Sequence, residues 1–139
     1  MKQIKSKTVT LNRSNEEVFY VLSDFTHLGA IPNDKIKDFK CTYDTCSFNI
    51  NGMADVELVI KERKPFDYIT IGSGKEITGG FSFLINLLFE KTGSNSCNLT
   101  AEVNIEGNTV LLMMMKKQIQ NGLDMLMDGI QKSVNSQNL

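Results

Sequence analysis

Histidine is almost missing from this chain: His27 is the single one among 139 residues. Metal binding and nucleophilic catalysis draw heavily on imidazole. One histidine in a polar, loop-like stretch, without a paired cysteine or carboxylate motif, points to a surface or helix-end role. Cysteine is scarce too, and Cys41, Cys46 and Cys97 match no zinc or redox spacing. Free, mostly buried thiols are the expectation, a Cys41–Cys46 hairpin disulfide being reserved for an oxidising compartment. Neither sign of charge dominates. Fifteen basic and sixteen acidic residues leave a net charge of -1, without the basic excess of a dedicated nucleic-acid binder. No window approaches the roughly 18 consecutive apolar residues of a membrane span. The opening MKQIKSKTVTL has lysines but no apolar core of signal-peptide length. A cytoplasmic protein is expected, with no nucleic-acid partner and no stable membrane insertion. Gly72, Gly74, Gly79 and Gly80 form no nucleotide loop: the spacing is wrong, no Gly-Lys-Ser/Thr follows, and the context is strand to strand. No cofactor and no metal site are expected.

A hydrophobic content of 41% is enough for a real core, and the length suits one domain spanning 1–139. Asn108 to Val134 reads as one long amphipathic helix. Leu112, Met115, Ile119, Leu123, Leu126 and Ile130 step by three and four and share a face. Lys117, Gln120, Asn121, Asp124, Asp128 and Gln131 fall opposite. Such a helix extends close to ~40 Å, enough to cross a small domain. Met115 and Met127 lie on its core side. Met113, Met114 and Met125 fall off the apolar stripe and are read as gap fillers, an exposed patch for a second subunit being the alternative. Gly122 and Gly129 share a flank, where close packing on a sheet or room for a ligand would explain them; each costs about 1 kcal/mol against alanine.

Upstream, Gln3 to Asn12 reads as a first strand. Ser14-Asn-Glu-Glu17 has the spacing of a capping box, and Val18, Val21, Leu22 and Phe25 give a helical stripe. Leu28 and Ile31 continue it into a second short helix, which Pro32 helps to end. Six strands follow. Ile36 to Tyr43 is one; Cys46, Phe48 and Ile50 alternate on the next, before an Asn51-Gly52 hairpin turn. Met53 to Arg63 carries Ala54, Val56, Leu58 and Ile60 on one face. Pro65-Phe66-Asp67 turns the chain into Tyr68 to Gly74. Phe81, Phe83, Ile85, Leu87 and Phe89 share a face on the next strand. After a polar turn from Lys91 to Ser96, Leu99, Ala101, Val103 and Ile105 alternate on the last. Short connections favour antiparallel neighbours, and one-sided apolar faces call for a cover.

This order of elements resembles the START-like superfamily, also called SRPBCC, of the polyketide-cyclase, lipid-transport and pollen-allergen groups. The resemblance covers nearly all of the chain. It rests on Thr8-Val-Thr-Leu11, Ser14-Asn-Glu-Glu-Val-Phe19, Leu22-Ser-Asp24 to Pro32, the Asn51-Gly52 hairpin and the closing helix. It implies an α+β helix-grip fold: a curved antiparallel seven-stranded sheet wrapped around a long C-terminal helix, with two short helices after the first strand. It also implies a cavity between sheet and helix.

Inward sheet positions and the helix underside would line that cavity: Phe48, Ile50, Val56, Leu58, Ile71, Phe83, Ile85, Leu87, Met115, Ile119, Leu123 and Leu126. For any one of them, filling a solid core is the preferred reading over ligand contact, because ordinary interiors pack densely. Tyr43, Tyr68 and Asp24 could approach a pocket mouth, though structural hydrogen bonds explain them better. Lys61-Glu-Arg-Lys64 is read as a solvated strand end. No catalytic residue stands out, so the leading expectation is a binding module for a hydrophobic or amphipathic small molecule, such as a lipid or an aromatic, polyketide-like metabolite. The alternatives are a polyketide cyclase or dehydratase-like enzyme, and a protein-interaction module using the Met-rich helix, with a homodimer left open.

Overall fold

The computed structural model describes residues 2–26, 36–50, 54–74 and 82–136. The chain opens with β1 (Lys2–Lys5), β2 (Val9–Leu11) and helix α1 (Asn15–Leu22). Then come β3 (Ile36–Cys41), β4 (Thr45–Ile50), β5 (Ala54–Lys64), β6 (Tyr68–Ser73), β7 (Ser82–Gly93) and β8 (Ser96–Glu106), and α2 (Thr109–Ser136) follows. Every pairing is antiparallel, in the order β1-β8-β7-β6-β5-β4-β3, with β2 also on β8. This is the expected α+β helix-grip arrangement of a sheet and a long helix.

The sheet has eight strands, not seven, because the expected first strand breaks at Ser6. Lys5 pairs Glu102 while Val9 pairs Leu99, a shift of register between the two halves. Buried Ser6 bridges the break. Its amide donates to Ala101 O at 2.8 Å, and its Oγ accepts the Ala101 amide at 2.9 Å. A side-chain oxygen thus stands in for a carbonyl that the bend removes, and the Ala101 amide keeps a partner.

Ser14 caps α1, accepting the Glu17 amide on its Oγ at 3.2 Å, with Glu16 and Glu17 in the positive first turn. The Pro65-Phe66-Asp67 turn is present, and Phe66 sits in the left-handed region at φ 67°. Lys91 and Gly93 are still paired with β8, so the expected turn from Lys91 to Ser96 narrows to Ser94-Asn95. The second short helix, His27, the Asn51-Gly52 turn, and Gly79, Gly80 and Phe81 lie outside the described residues.

Cys41 and Cys46 are joined by a disulfide, which corrects the expectation of free thiols there. The register of β3 on β4 sets them directly opposite each other, with Cα atoms 4.0 Å apart. Cys97 remains a free, buried thiol.

On α2, Leu112, Leu123, Met127, Ile130 and Val134 are buried against the sheet. The helix lies nearest to β1, β2 and β8. There its polar flank is stitched to the sheet edge, where the sequence suggested only a solvated face. Gln120 Nε2 donates to Lys5 O at 2.8 Å, and Asp124 Oδ1 accepts the Lys7 amide at 2.9 Å. Gln131 Nε2 donates to Thr10 O at 3.0 Å, Asn135 Oδ1 accepts the Asn12 amide at 2.7 Å, and Lys7 pairs with Asp128. An edge strand carries backbone groups with no neighbouring strand. Amide and carboxylate side chains satisfy them here, and they fix the helix along that edge.

Met127 is fully buried, as its core-side position suggested. Met113, Met114 and Met125 are not gap fillers: together with Val110 they are exposed, Met114 at 70%. They project from the side of α2 turned away from the sheet. No described helix is long and apolar enough to cross a membrane.

Candidate functional site

Strand alternation and register define the inner wall. Ile60, Ile71, Ile85 and Val103 form one row across four strands. Cys46, Leu58 and Ser73 begin the next. The ends of this wall differ. Leu11, Val18, Phe25, Ile69, Cys97, Leu99 and Met127 are sealed from solvent. Phe19 of α1 plugs this end, its ring edge-on to Phe66 at 5.8 Å and to Phe89 at 5.7 Å.

Toward the other end the inner face is less completely buried. Phe48, Leu58, Phe83 and Ile85 share the inner face with fully buried neighbours, yet all are only half-buried. Ile119 and Leu126 on α2 are half-buried too. These six side chains pack against the core cluster without being closed off from solvent, while the helix is held along β1 and β2.

The expected lining residues divide accordingly. Val56, Ile71, Leu87 and Leu123 are buried. Phe48, Leu58, Phe83, Ile85, Ile119 and Leu126 are partly buried against the core. The side chains of Ile50 and Met115 lie outside the described set. Gly122 is exposed, and a Cβ there would meet nothing within 4 Å. Close packing therefore does not explain this glycine.

The polar groups suggested for the mouth are engaged elsewhere. Tyr68 projects from the outer face and donates to Glu62 at 2.7 Å. That hydrogen bond raises the phenol pKa above its usual value, with burial and the charges of Glu62 and Asp67 adding to it. Asp24 Oδ1 accepts the Thr26 amide and hydroxyl at 3.0 and 2.6 Å. Tyr43 is exposed and lies under the Arg63 guanidinium, 4.2 Å from its ring centre.

Arg63 is not the solvated strand-end residue that its charged neighbours suggested. The bulge between Ile60 and Glu62 shifts the register so that Arg63 pairs opposite inward Ile69. It donates to Ser23 O at 2.9 Å and Tyr43 O at 3.1 Å, and pairs with Asp44 at 2.8 Å. One guanidinium thus ties β5 to the end of α1 and to the β3–β4 turn.

Two further groups on the inner face carry chemistry. Burial raises the pKa of the Cys97 thiol, which keeps it protonated and unreactive. Ser73 was overlooked in the sequence, although the alternation Ile69, Ile71, Ser73 places it inward. Its Oγ accepts the Phe83 amide at 3.2 Å. Among the described residues, no group of three or more His, Cys, Asp or Glu could hold a metal ion.

No protein-family model matches this chain, and no curated protein matches it by sequence. Solved structures do match its shape. A START superfamily protein from Mycobacterium smegmatis superposes with a TM-score of 0.76 at 17% identity, covering 95% of this chain and 96% of that one. Truncated norcoclaurine synthase from Thalictrum flavum gives 0.79 at 12% identity, covering 99% and 95%. The same enzyme in complex with dopamine and hydroxybenzaldehyde gives 0.74 at 13% identity, covering 96% and 86%. At these identities the likeness is one of fold, and the fold is START-like, of the SRPBCC helix-grip type. A shared fold does not transfer an activity.

Proposed function

We propose that residues 1–139 form one START-like domain that binds a hydrophobic or amphipathic small molecule, a lipid or an aromatic, polyketide-like metabolite, between the sheet and α2. One observation carries this reading: Phe48, Leu58, Phe83, Ile85, Ile119 and Leu126 point inward and yet stay half-exposed. Apolar surface left wet inside a fold gains about 25 cal/mol per Å² when a ligand covers it. Pockets of this kind are largely apolar with a few placed polar groups. Binding without turnover fits a wall whose polar mouth candidates are engaged in structural bonds.

The test is native mass spectrometry of the purified protein, with solvent extraction of anything released, followed by titration with anilinonaphthalene sulfonate. A stoichiometric apolar adduct, or saturable dye fluorescence from one site, is expected. A bare monomer mass together with no dye response would refute the reading.

A second reading has its own observation. Val110, Met113, Met114 and Met125 leave an exposed apolar strip on the outer side of α2, which suits a protein partner or a second copy of the chain. Sedimentation velocity of wild type and Met114→Asp measures it. Dimerisation that Met114→Asp abolishes supports that reading; a monomer at high concentration disfavours the homodimer.

A further inference from the structure

We infer that Ser73 is the polar anchor of the cleft proposed between the sheet and α2, and that the ligand presents an uncharged oxygen acceptor, such as a ketone or ester carbonyl, on an apolar body. The inference rests on the ligand-binding reading above and names the chemistry of that site. Ser73 ends β6 on the inner face, directly opposite Leu58 and beside Phe83. Both neighbours are half-buried, as Ser73 itself is, so the hydroxyl stands where the inner face is less completely buried. Among the described inward positions of β4, β6 and β8, and of β7 from Phe83 to Phe89, it is the one hydroxyl and the others carry carbon or sulfur side chains; Lys91, opposite Cys97, lies exposed at the far end of β7. Its oxygen already accepts the Phe83 amide at 3.2 Å. The hydroxyl hydrogen takes no acceptor among the described residues, and it rotates freely about the Cβ–Oγ bond.

A lone donor on an apolar wall selects for an acceptor, because a ligand without one leaves the donor desolvated and unpaired. Charge narrows the class further. Arg63 is spent on Ser23, Tyr43 and Asp44, and the Lys61 stem lies over Gly72 on the outer face. Among the described residues no free counter-ion stands at Ser73, and a carboxylate buried without one costs far more than a neutral carbonyl.

The test compares acetylnaphthalene with ethylnaphthalene, two probes of one shape that differ by a carbonyl. Both displace anilinonaphthalene sulfonate from wild type, Ser73→Ala and Ser73→Thr. The ratio of the two affinities cancels general effects on the fold. Wild type is expected to favour the ketone over the hydrocarbon by roughly three- to tenfold more than Ser73→Ala does. Ser73→Thr, which restores a hydroxyl, should keep the wild-type ratio. Naphthoate should bind wild type more weakly than the ketone. Equal ratios in wild type and Ser73→Ala, with both probes bound, would overturn the anchor and leave the cleft standing. Tighter binding of naphthoate would overturn the neutral-acceptor class. If wild type binds neither the dye nor the probes, the cleft reading fails and the anchor falls with it.

Discussion

Replacing Arg63 by Met should unfasten three parts of the protein at once. The substitution keeps an unbranched apolar stem and deletes the guanidinium. Two hydrogen bonds to carbonyls are lost, to Ser23 O at 2.9 Å and Tyr43 O at 3.1 Å. Charged hydrogen bonds are worth about 1.5–3 kcal/mol each when buried. The Arg63 side chain is 24% exposed, so about half of that range applies here, roughly 2 kcal/mol for the pair. Asp44 is exposed, and its ion pair adds about 0–1 kcal/mol. Stacking on Tyr43 adds about 0.5–1 kcal/mol. The total is about 3 kcal/mol. With an unfolding entropy of about 2.1 cal/mol/K per residue, that loss lowers Tm by about 10 °C. Arg63→Lys should lose about half as much, since an ammonium supplies charge but not the planar fork. Urea and thermal denaturation followed by circular dichroism measure both variants. A double-mutant cycle with Asp44→Asn should return a coupling below about 1 kcal/mol. A loss under about 1 kcal/mol in Arg63→Met, or none in Arg63→Lys, would refute the reasoning.

Three further outcomes separate the sealed end of the core from its less buried side. Met127→Ala, at a site closed to solvent, should cost about 2–5 kcal/mol, whereas Leu58→Ala on the half-buried wall should cost less than half as much; equal losses in urea melts would argue against a cleft beside Leu58. Gly122→Ala should stabilise α2 by about 1 kcal/mol, because the new methyl meets no neighbour within 4 Å; a lower Tm would show that this flank is in fact packed. Tyr68 holds its proton more tightly when folded, through Glu62 first, so its contribution is complete below the ordinary tyrosine pKa of about 10 and fades as pH rises through the raised value. Tyr68→Phe should flatten that alkaline decline, and an unchanged slope of stability against pH would count against the Glu62 bond.

Local patterns revealed much of this fold, and the places where they misled share a cause. Ser14 and Glu17 announce the start of α1 because a helix cap is a contact between near neighbours. The alternation of Leu99, Ala101, Val103 and Ile105 survives intact because β8 pairs regularly with β7. Ser6 was hidden for the opposite reason: its hydroxyl answers a backbone group ninety-five residues away, and no spacing rule reports such a bond. Arg63 was hidden by a bulge that shifts the register and turns a nominally solvent position inward; a shift by one residue exchanges the faces of everything beyond it. The helix shows the limit of a two-sided reading. Gln120, Asp124 and Gln131 are polar, and periodicity sorts residues only into core and solvent. A third environment exists where helix meets sheet edge, and it recruits amides and carboxylates because the edge offers amide hydrogens and carbonyls to satisfy.

That stitched edge also bears on the candidate site. A helix fastened along β1 and β2 by several side-chain bonds cannot lie equally close to β4 and β5 on the far side of a curved sheet. On the ligand-binding reading proposed above, the polar residues of that flank would set where a cleft opens. That reading ties the partial exposure of Phe48, Leu58 and Phe83 to where Gln120, Asp124 and Gln131 hold the helix, as much as to their own place on the inner wall.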